Sequence, residues 1–221
     1  MPSAIRSPAS LQNPSATNGS PFVFVGEKLW LDFVNSDDAT HSRGDARSDA
    51  LDSFDRFVAW LSAARLLDDE RATAMIRRAQ QQPTGSSAAL HEARRLRNVL
   101  RALAERGDAP QERATQTAIG EINRILGRSA GTRRVEPRSD GGFVRNFVTA
   151  GDVFAGLMIP IIESAADGLV GSELQRVRKC ADPRCSRVFF DGSRNGKRRW
   201  CDMKTCGNRA KAARHRKKLS G

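Results

Sequence analysis

Four cysteines in the last fifth of the chain carry its clearest chemical signal. They form two pairs, Cys180-x4-Cys185 and Cys201-x4-Cys206, with fifteen residues between the pairs. Four thiolates at this spacing can surround one Zn²⁺ tetrahedrally, in a closed site that stabilises a fold and leaves no coordination position for a substrate. The spacing therefore predicts one structural zinc ion held by Cys180, Cys185, Cys201 and Cys206.

Disulfide bonds are the alternative use of these cysteines. They are typical of small secreted chains that carry a signal peptide. The segment from Met1 to Asn18 has no apolar stretch of signal-peptide length. The apolar run from Leu157 to Ile162 is too short to span a bilayer. We therefore expect a cytoplasmic metal-binding protein with no membrane anchor.

Positive charge is concentrated around the same cysteines. Residues 176–221 contain 16 Lys and Arg against 3 Asp and Glu, whereas the first 175 residues contain 21 against 22. A field of this kind attracts phosphate polymers with an affinity that depends on salt and not on sequence. Nucleic acid is therefore the expected partner. A solubilising or membrane-attracted tail is the alternative, although here the basic residues are interleaved with a metal-ordered fold.

A basic helix is expected from Cys206 to about Lys218. On such a helix Cys206, Ala210 and Ala213 share one face, where small residues allow close packing on the metal module. The other faces carry side chains that can reach phosphates and base edges. The predicted nucleic-acid contacts are Asn208, Arg209, Lys211, Arg214, His215, Arg216 and Lys218 from the helix, with Arg198 and Arg199 from the preceding hairpin. Asn208 and Arg209 are the expected base-reading residues, although Asn208 is equally suited to a local cap.

The elements of the metal module are predicted from turn signals and apolar runs. We expect a strand over residues 186–191, a turn over 192–196 and a returning strand over 197–200, followed by the helix. Phe189, Phe190 and Trp200 are expected to form the small core of this module and not a platform for base stacking, because so small a unit has few other apolar groups to bury.

The remaining chain is predicted to form a mainly helical α+β domain over residues 22–175, after a disordered segment 1–21 that is rich in Ser, Pro, Ala and Asn. We expect a strand at 22–25 and a second apolar run at 29–35. Helices are expected at about 52–64 with Asp52 as N-cap, around Met75, at 90–103, at 118–126 and at 152–166, where Pro160 bends or shortens the last one. A β-hairpin is expected at 132–148 around the turn 139–142.

Two groups of polar residues in this domain could have either a structural or a functional role. Asp32 and Asn35 could line a ligand pocket, although residues of this type at turns and strand ends are more often structural hydrogen-bonding groups. The arginines of the helix at 90–103 are expected to form a solvated face, because the overall charge there is balanced.

Two segments carry a resemblance to known families. The run from Cys201 to Lys211, preceded by residues 190–195 and by Arg199-Trp200, resembles the CGNR zinc finger, named for the residues that match Cys206 to Arg209. The run from Leu29 to Ser36 is similar to the opening motif of the ABATE domain, with Ser36 where the family commonly has Thr. The resemblance implies a treble-clef-like finger over residues 176–221, attached to an α+β domain, in a stress-responsive transcriptional regulator.

The leading hypothesis for function is a DNA-binding regulator whose residues 22–175 sense a small molecule or form a homodimer. An RNA-binding or ribosome-associated protein is the alternative, since the same electrostatics suit any phosphate polymer. An enzyme is not expected, because a four-thiolate site is closed and the three histidines are isolated from one another in the sequence.

Overall fold

The computed structural model describes residues 22–37, 49–105, 111–137, 141–150 and 152–219. The segment predicted to be disordered, 1–21, lies outside the described residues. The described chain is an α+β structure, with a helical N-terminal domain that contains a small antiparallel sheet and a C-terminal cysteine-rich region that ends in a helix. The predicted fold class is therefore confirmed. No helix of these residues is long and apolar enough to cross a membrane.

Five helices form most of the N-terminal domain. They are α1 (Leu29–Val34), α2 (Phe54–Ala63), α3 (Asp69–Gln81), α4 (Pro83–Glu105) and α5 (Gln111–Arg128). The N-cap of α2 is Ser53, whose hydroxyl accepts a hydrogen bond from the Arg56 amide, and not Asp52 as the sequence predicted. Asp68 caps α3 in the same way through the Arg71 amide. Both caps satisfy amides that have no partner within the helix.

The apolar run at 29–35 forms the centre of the core. It folds into α1, whose residues from Trp30 to Val34 are all buried. This short helix packs against α4, against α6 (Ile159–Val170) and against the strand β4 (Val188–Phe190). The strand predicted at 22–25 is not present, because these residues form no ladder with another strand. Phe24 in this segment packs on Trp60, with ring centroids 5.9 Å apart.

A β-hairpin follows the helices, as its turn signal predicted. β1 (Gly131–Pro137) pairs with β2 (Phe143–Thr149) in antiparallel register, with Gly131 opposite Thr149 and Pro137 opposite Phe143. Gly131 is needed for close packing, since a Cβ atom there would lie 2.4 Å from the Val148 carbonyl oxygen. Ion pairs join the hairpin to the helices on both sides, from Arg71 to Glu136 and from Arg133 to Glu163.

The last helix of the N-terminal domain starts later than predicted. Residues Ala155–Met158 form a 3-10 helix, and α6 runs over Ile159–Val170. Pro160 lies in the first turn of α6, where its missing N–H is not needed and its fixed φ suits the helix. The proline therefore marks the start of α6 and does not bend a helix that began at 152.

The C-terminal region contains a second two-stranded sheet. β3 (Val177–Lys179) pairs with β4 (Val188–Phe190), with Val177 opposite Phe190. The predicted return strand at 197–200 is wrong, because the partner of β4 comes before it in the chain. Residues 197–200 run nearby without joining the ladder, and the Arg198 amide donates instead to the Asp191 carboxylate. A π-helical turn, Met203–Gly207, then leads into α7 (Asn208–Leu219).

Candidate zinc centre and nucleic-acid interface

The four cysteine sulfurs converge on one point of the C-terminal region. Cys180 and Cys185 lie in the loop that joins β3 to β4, and Cys201 and Cys206 lie just before and inside the π-helical turn. All four side chains are buried, and their Sγ atoms lie within 4.8 Å of one another. Two of the separations, Cys185 to Cys201 and Cys201 to Cys206, are 3.7 Å.

These separations fit zinc and exclude a disulfide. A tetrahedral zinc ion with Zn–S bonds of about 2.3 Å places its sulfurs about 3.8 Å apart. A disulfide would require sulfurs about 2.05 Å apart, and all four cysteines are free thiols. The predicted structural zinc ion is therefore confirmed, with Cys180, Cys185, Cys201 and Cys206 as its ligands.

The protonation of these sulfurs shows why they need a cation. A hydrogen bond from Cys201 lowers the pKa of Cys185 to about 5. The same hydrogen bond and the charge on Cys185 raise the pKa of Cys201, and burial together with that charge raises the pKa of Cys206 to about 12. The Cys185 thiolate is thus stabilised by its neighbours, and its charge opposes ionisation of Cys201 and Cys206. A divalent cation removes this repulsion and allows all four sulfurs to bind as thiolates.

Buried carboxylates shape the loops around the metal. Asp191 accepts hydrogen bonds from the amides of Ser193 and Arg198, each of 3.0 Å. Burial alone would raise the pKa of Asp191, but a hydrogen bond from the Ser193 hydroxyl, together with those from the two amides, holds the pKa below its usual value. Asp182 accepts from the Arg184 amide and so closes the turn between the first two ligands. The loops therefore hold the four sulfurs in place through fixed backbone hydrogen bonds.

The aromatic residues of the module divide between two cores. Phe189 is fully buried among the four cysteines, with Trp200 packed beside it. Phe190 packs instead against the core of the N-terminal domain, and the Lys28 ammonium lies 4.8 Å from its ring centroid. The two strand neighbours thus point to opposite sides, and β4 belongs structurally to both parts of the chain.

Asn35 attaches β4 directly to the N-terminal domain. Its side-chain amide donates to the Val188 carbonyl at 2.8 Å, and its side-chain oxygen accepts from the Val188 amide at 2.9 Å. This pair of bonds is the pattern that a neighbouring strand would supply. Asp32 accepts a 2.7 Å hydrogen bond from the Gly26 amide. Both side chains are buried and hydrogen-bonded to backbone, so the structural interpretation fits them and the candidate ligand pocket does not.

Arginines of α4 hold the segment that follows α1, and the prediction of a solvated face is wrong for three of them. Arg94 donates to the carbonyl oxygens of Leu51 and Asp52. Arg97 is buried and binds both carboxylate oxygens of Asp49. Arg101 donates to the Val34 and Ser186 carbonyl oxygens and to Asp37, which lie on both sides of the contact with the finger. The signal that sequence reasoning missed is the helical spacing of these three arginines.

The basic helix α7 is anchored on one face and at one end. Cys206 is buried in the turn just before it, Ala210 is half-buried, and Arg209 forms a 3.0 Å ion pair with Asp182. Ala213 is exposed, contrary to the predicted packing, so the contact with the finger ends within about two turns. Beyond that point the helix extends away from the module that holds its first turn.

The predicted nucleic-acid contacts fall into two groups. Lys211, Arg214, His215, Arg216 and Lys218 have exposed side chains on α7, and Arg199 is exposed over the Trp200 ring. The others are engaged within the chain. Asn208 donates to the Lys204 carbonyl oxygen at 3.1 Å, which is the local role that the sequence left open. Arg198 stacks on Phe189, donates to the Trp200 and Cys201 carbonyl oxygens and pairs with Glu27.

Comparison with known families identifies both parts of the chain. The ABATE family, described as "Putative stress-induced transcription regulator", matches residues 27–172. The CGNR zinc finger matches residues 176–218. No curated protein matches the chain.

Proposed function

Since the chain belongs to the ABATE family and ends in a CGNR zinc finger, we propose that this zinc-binding protein is a transcription regulator that binds duplex DNA through α7. One observation carries the proposal. Lys211, Arg214, His215 and Lys218 are exposed and recur at i, i+3, i+4 and i+7, so they form a stripe along one face of the helix. This basic stripe lies on the side of α7 away from Cys206.

The dimensions and charge of α7 suit a DNA groove. Its 12 residues contain no Asp or Glu, and a helix of this length spans about 18 Å. The major groove of DNA is wide enough to admit an α-helix, where Lys and Arg bind phosphates and guanine edges. Zinc holds the first turn, so the stripe is presented on a helix whose origin is fixed. Arg199, which is exposed in the segment before α7, is proposed as a further phosphate contact.

The N-terminal domain sets the direction of this helix. Asn35 binds the backbone of Val188 in β4 and Arg101 binds the Ser186 carbonyl just before that strand, so the finger is held by the domain and not by the linking chain alone. We propose that residues 22–175 act as a sensor or a dimerisation unit for the DNA-binding end. Two copies would place two basic helices on half-sites of one duplex.

We also propose that the protein acts by binding and not by catalysis. Four thiolates fill the coordination sphere of zinc and leave no position for a substrate. Cobalt substitution tests this, since a closed tetrathiolate site should give a visible spectrum that added exchangeable ligands such as azide leave unchanged. A spectrum that changes with such ligands would show an open coordination position.

DNA binding can be tested by fluorescence anisotropy with a labelled random duplex over a series of salt concentrations. We expect log K to fall with log salt with a slope of about −3 to −5, since each neutralised phosphate contributes about 0.9. The double variant Lys211→Gln/Lys218→Gln should lower the magnitude of this slope by about 2 and weaken binding to all duplex sequences.

A matched control removes the same charge elsewhere on the finger. Lys179 and Lys197 are exposed and lie outside α7, so Lys179→Gln/Lys197→Gln should change the slope by less than half as much. Equal effects of the two double variants would indicate a diffuse charge effect and would exclude α7 as the groove-binding element. Competition with a structured RNA of equal charge would distinguish the alternative, because an RNA-binding protein should release duplex DNA at low RNA concentrations.

A further inference from the structure

A cavity of about 440 Å³ lies in the N-terminal domain, away from the metal. It is bounded by α2 and the turn after it, by α3, by β2 and by the 3-10 helix that leads into α6. Most of its wall is apolar, with Leu61, Leu67, Met75, Val153, Leu157 and Pro160 among the lining side chains. Its volume lies within the range of small-molecule sites, which is about 300 to 1,000 Å³.

The charged residues that line this cavity are two arginines. Arg71 and Arg78 lie on α3 seven positions apart, with Ala74 and Met75 between them on the same helical face. Among the residues that the structure describes, no carboxylate lines the cavity. The small side chain of Ala74 leaves the space between the two arginines open. The wall of the cavity therefore combines an apolar interior with positive charge.

The two arginines differ in how far they are neutralised. Arg71 pairs with Glu136 at 2.5 Å and lies 3.7 Å from Asp68. Arg78 is exposed where it lines the cavity, and within the described part of the chain it has no carboxylate partner. An apolar cavity with an uncompensated guanidinium on its solvent side is complementary to a molecule with an apolar body and an anionic head.

We propose that this cavity binds a small amphipathic carboxylate. The carboxylate is held by the Arg78 guanidinium, with Arg71 beside it, and the apolar body fills the space between α3 and β2 against Met75 and Leu157. Such a ligand would be the molecule that the N-terminal domain senses. The site is formed by residues 61–160 alone, and its occupation does not depend on α7 binding DNA.

Titration calorimetry on the zinc-loaded protein, without DNA, tests the site with three ten-carbon probes below their micellar concentrations. We expect decanoate to bind with one molecule per chain and to bind at least about tenfold more tightly than decanol, because a hydrogen-bonded ion pair with arginine adds to apolar burial. Decyltrimethylammonium should bind more weakly than decanol. Equal affinities for decanoate and decanol, or no saturable binding of decanoate, would overturn the proposal.

Variants locate the binding on the protein. Arg78→Gln should reduce the preference for decanoate over decanol to less than about threefold, whereas Arg77→Gln, an exposed neighbour that does not line the cavity, should leave it unchanged. Ala74→Phe should fill the cavity and abolish binding of all three probes, with Ala74→Leu as a milder version if the first variant is unstable. Binding that survives Ala74→Phe but is lost in Lys211→Gln/Lys218→Gln would assign the anion to α7 and reject the cavity.

Discussion

Among single residues, Asn35 makes the most direct connection between the N-terminal domain and the finger. We call this contact with β4 the joint. Asn35 satisfies both the amide and the carbonyl of Val188, a fully buried residue of β4. In Asn35→Ala both groups lose their partner, and each buried unsatisfied group costs about 1 to 3 kcal/mol. We expect the free energy of unfolding of the zinc-loaded protein to fall by about 2 to 5 kcal/mol, measured by urea denaturation.

Asn195→Ala is the matched control for this variant. Asn195 is exposed in the turn after β4 and accepts only a 3.3 Å hydrogen bond from Ser193. Its removal should change the free energy of unfolding by less than about 0.5 kcal/mol. A loss in Asn35→Ala no larger than in the control would show that water or neighbouring groups replace the two hydrogen bonds, and would remove Asn35 from the account of the joint.

The buried carboxyl group of Asp32 should make the free energy of unfolding depend on pH. The side chain is 1% exposed, and burial raises its pKa to about 7 against the hydrogen bonds from Gly26 and Val25. The unfolded chain releases this proton near pH 4, about the ordinary value for Asp. The folded state therefore loses stability from this group as pH rises from about 4 to 7, and no more is lost above the folded pKa.

Asp32→Asn should remove that loss, because the amide stays neutral and keeps an acceptor for the Gly26 amide. The free energy of unfolding of the variant minus that of the unchanged protein should rise by about 1.4 kcal/mol per unit between about pH 5 and 7 and level off near pH 8. Urea titrations at each pH measure this difference in the free energy of unfolding. The pH dependence of zinc binding is common to both proteins and cancels in it. Asp167→Asn, at an exposed site on α6, should show no such trend. A flat difference for Asp32→Asn would contradict a raised pKa.

The residues also show what sequence could and could not predict. The zinc ligands were predictable because thiolate chemistry and short spacing restrict the four cysteines to few roles. The role of Asn35 was not, since Val188 is 153 positions away, and no local pattern marks such a contact. The helical spacing of the α4 arginines marks a common face, but their partners could not be predicted, because those partners come from loops whose path depends on the whole fold.

At the scale of elements, α7 depends on zinc for its first turn. The helix has like charges at i, i+3 and i+4, which destabilise an isolated helix by about 0.2 to 0.5 kcal/mol for each i, i+4 pair. Helices of about 12 residues are also marginal in water without packing. Its packing is limited to the region of Cys206 and Ala210. Removal of zinc with a chelator should therefore melt most of α7, and circular dichroism should show a loss of helix equivalent to about its 12 residues.

Addition of zinc should restore the lost helical signal, and this reversal separates melting of α7 from irreversible unfolding. Cys206→Ser provides a genetic version of the same change, since it removes the ligand closest to the helix. A chelated protein with its full helical signal would show that α7 is held by contacts other than the metal centre.

The elements that local signals specify were predicted well, and those that depend on a partner were not. The hairpin β1–β2 follows from a strong turn between two strand-forming runs, and α4 follows from its apolar stripe. The return strand at 197–200 was predicted because it comes next after a turn. The strand that β4 actually pairs with, β3, has only three residues, too few to show a periodic pattern, and the loop between them is set by the metal ligands.

At the scale of the whole molecule, the finger and the N-terminal domain share one strand. In β4, Phe189 packs among the metal ligands of the finger, and Phe190 packs against the core of the N-terminal domain. The Phe190 amide donates to the Gly26 carbonyl oxygen at 2.9 Å, and the neighbouring Glu27 pairs with Arg198 of the finger. Loss of the metal should therefore also destabilise the N-terminal domain, because the loop that positions β4 carries Cys180 and Cys185.

Hydrogen exchange measured by mass spectrometry tests this coupling. Chelation of zinc should lower the protection of buried amides in α1 and in the α4 segment around Leu100 by about tenfold or more, since losing the order of β4 leaves Asn35 buried without partners. In Asn35→Ala the joint is already broken, so chelation should change the protection of the same amides much less, and the two perturbations should not be additive. Amides of α5, whose main contacts are with α4 and α6, serve as the internal reference. Unchanged protection in α1 after chelation would mean that the finger folds independently, and that the direction of α7 is not set by the N-terminal domain.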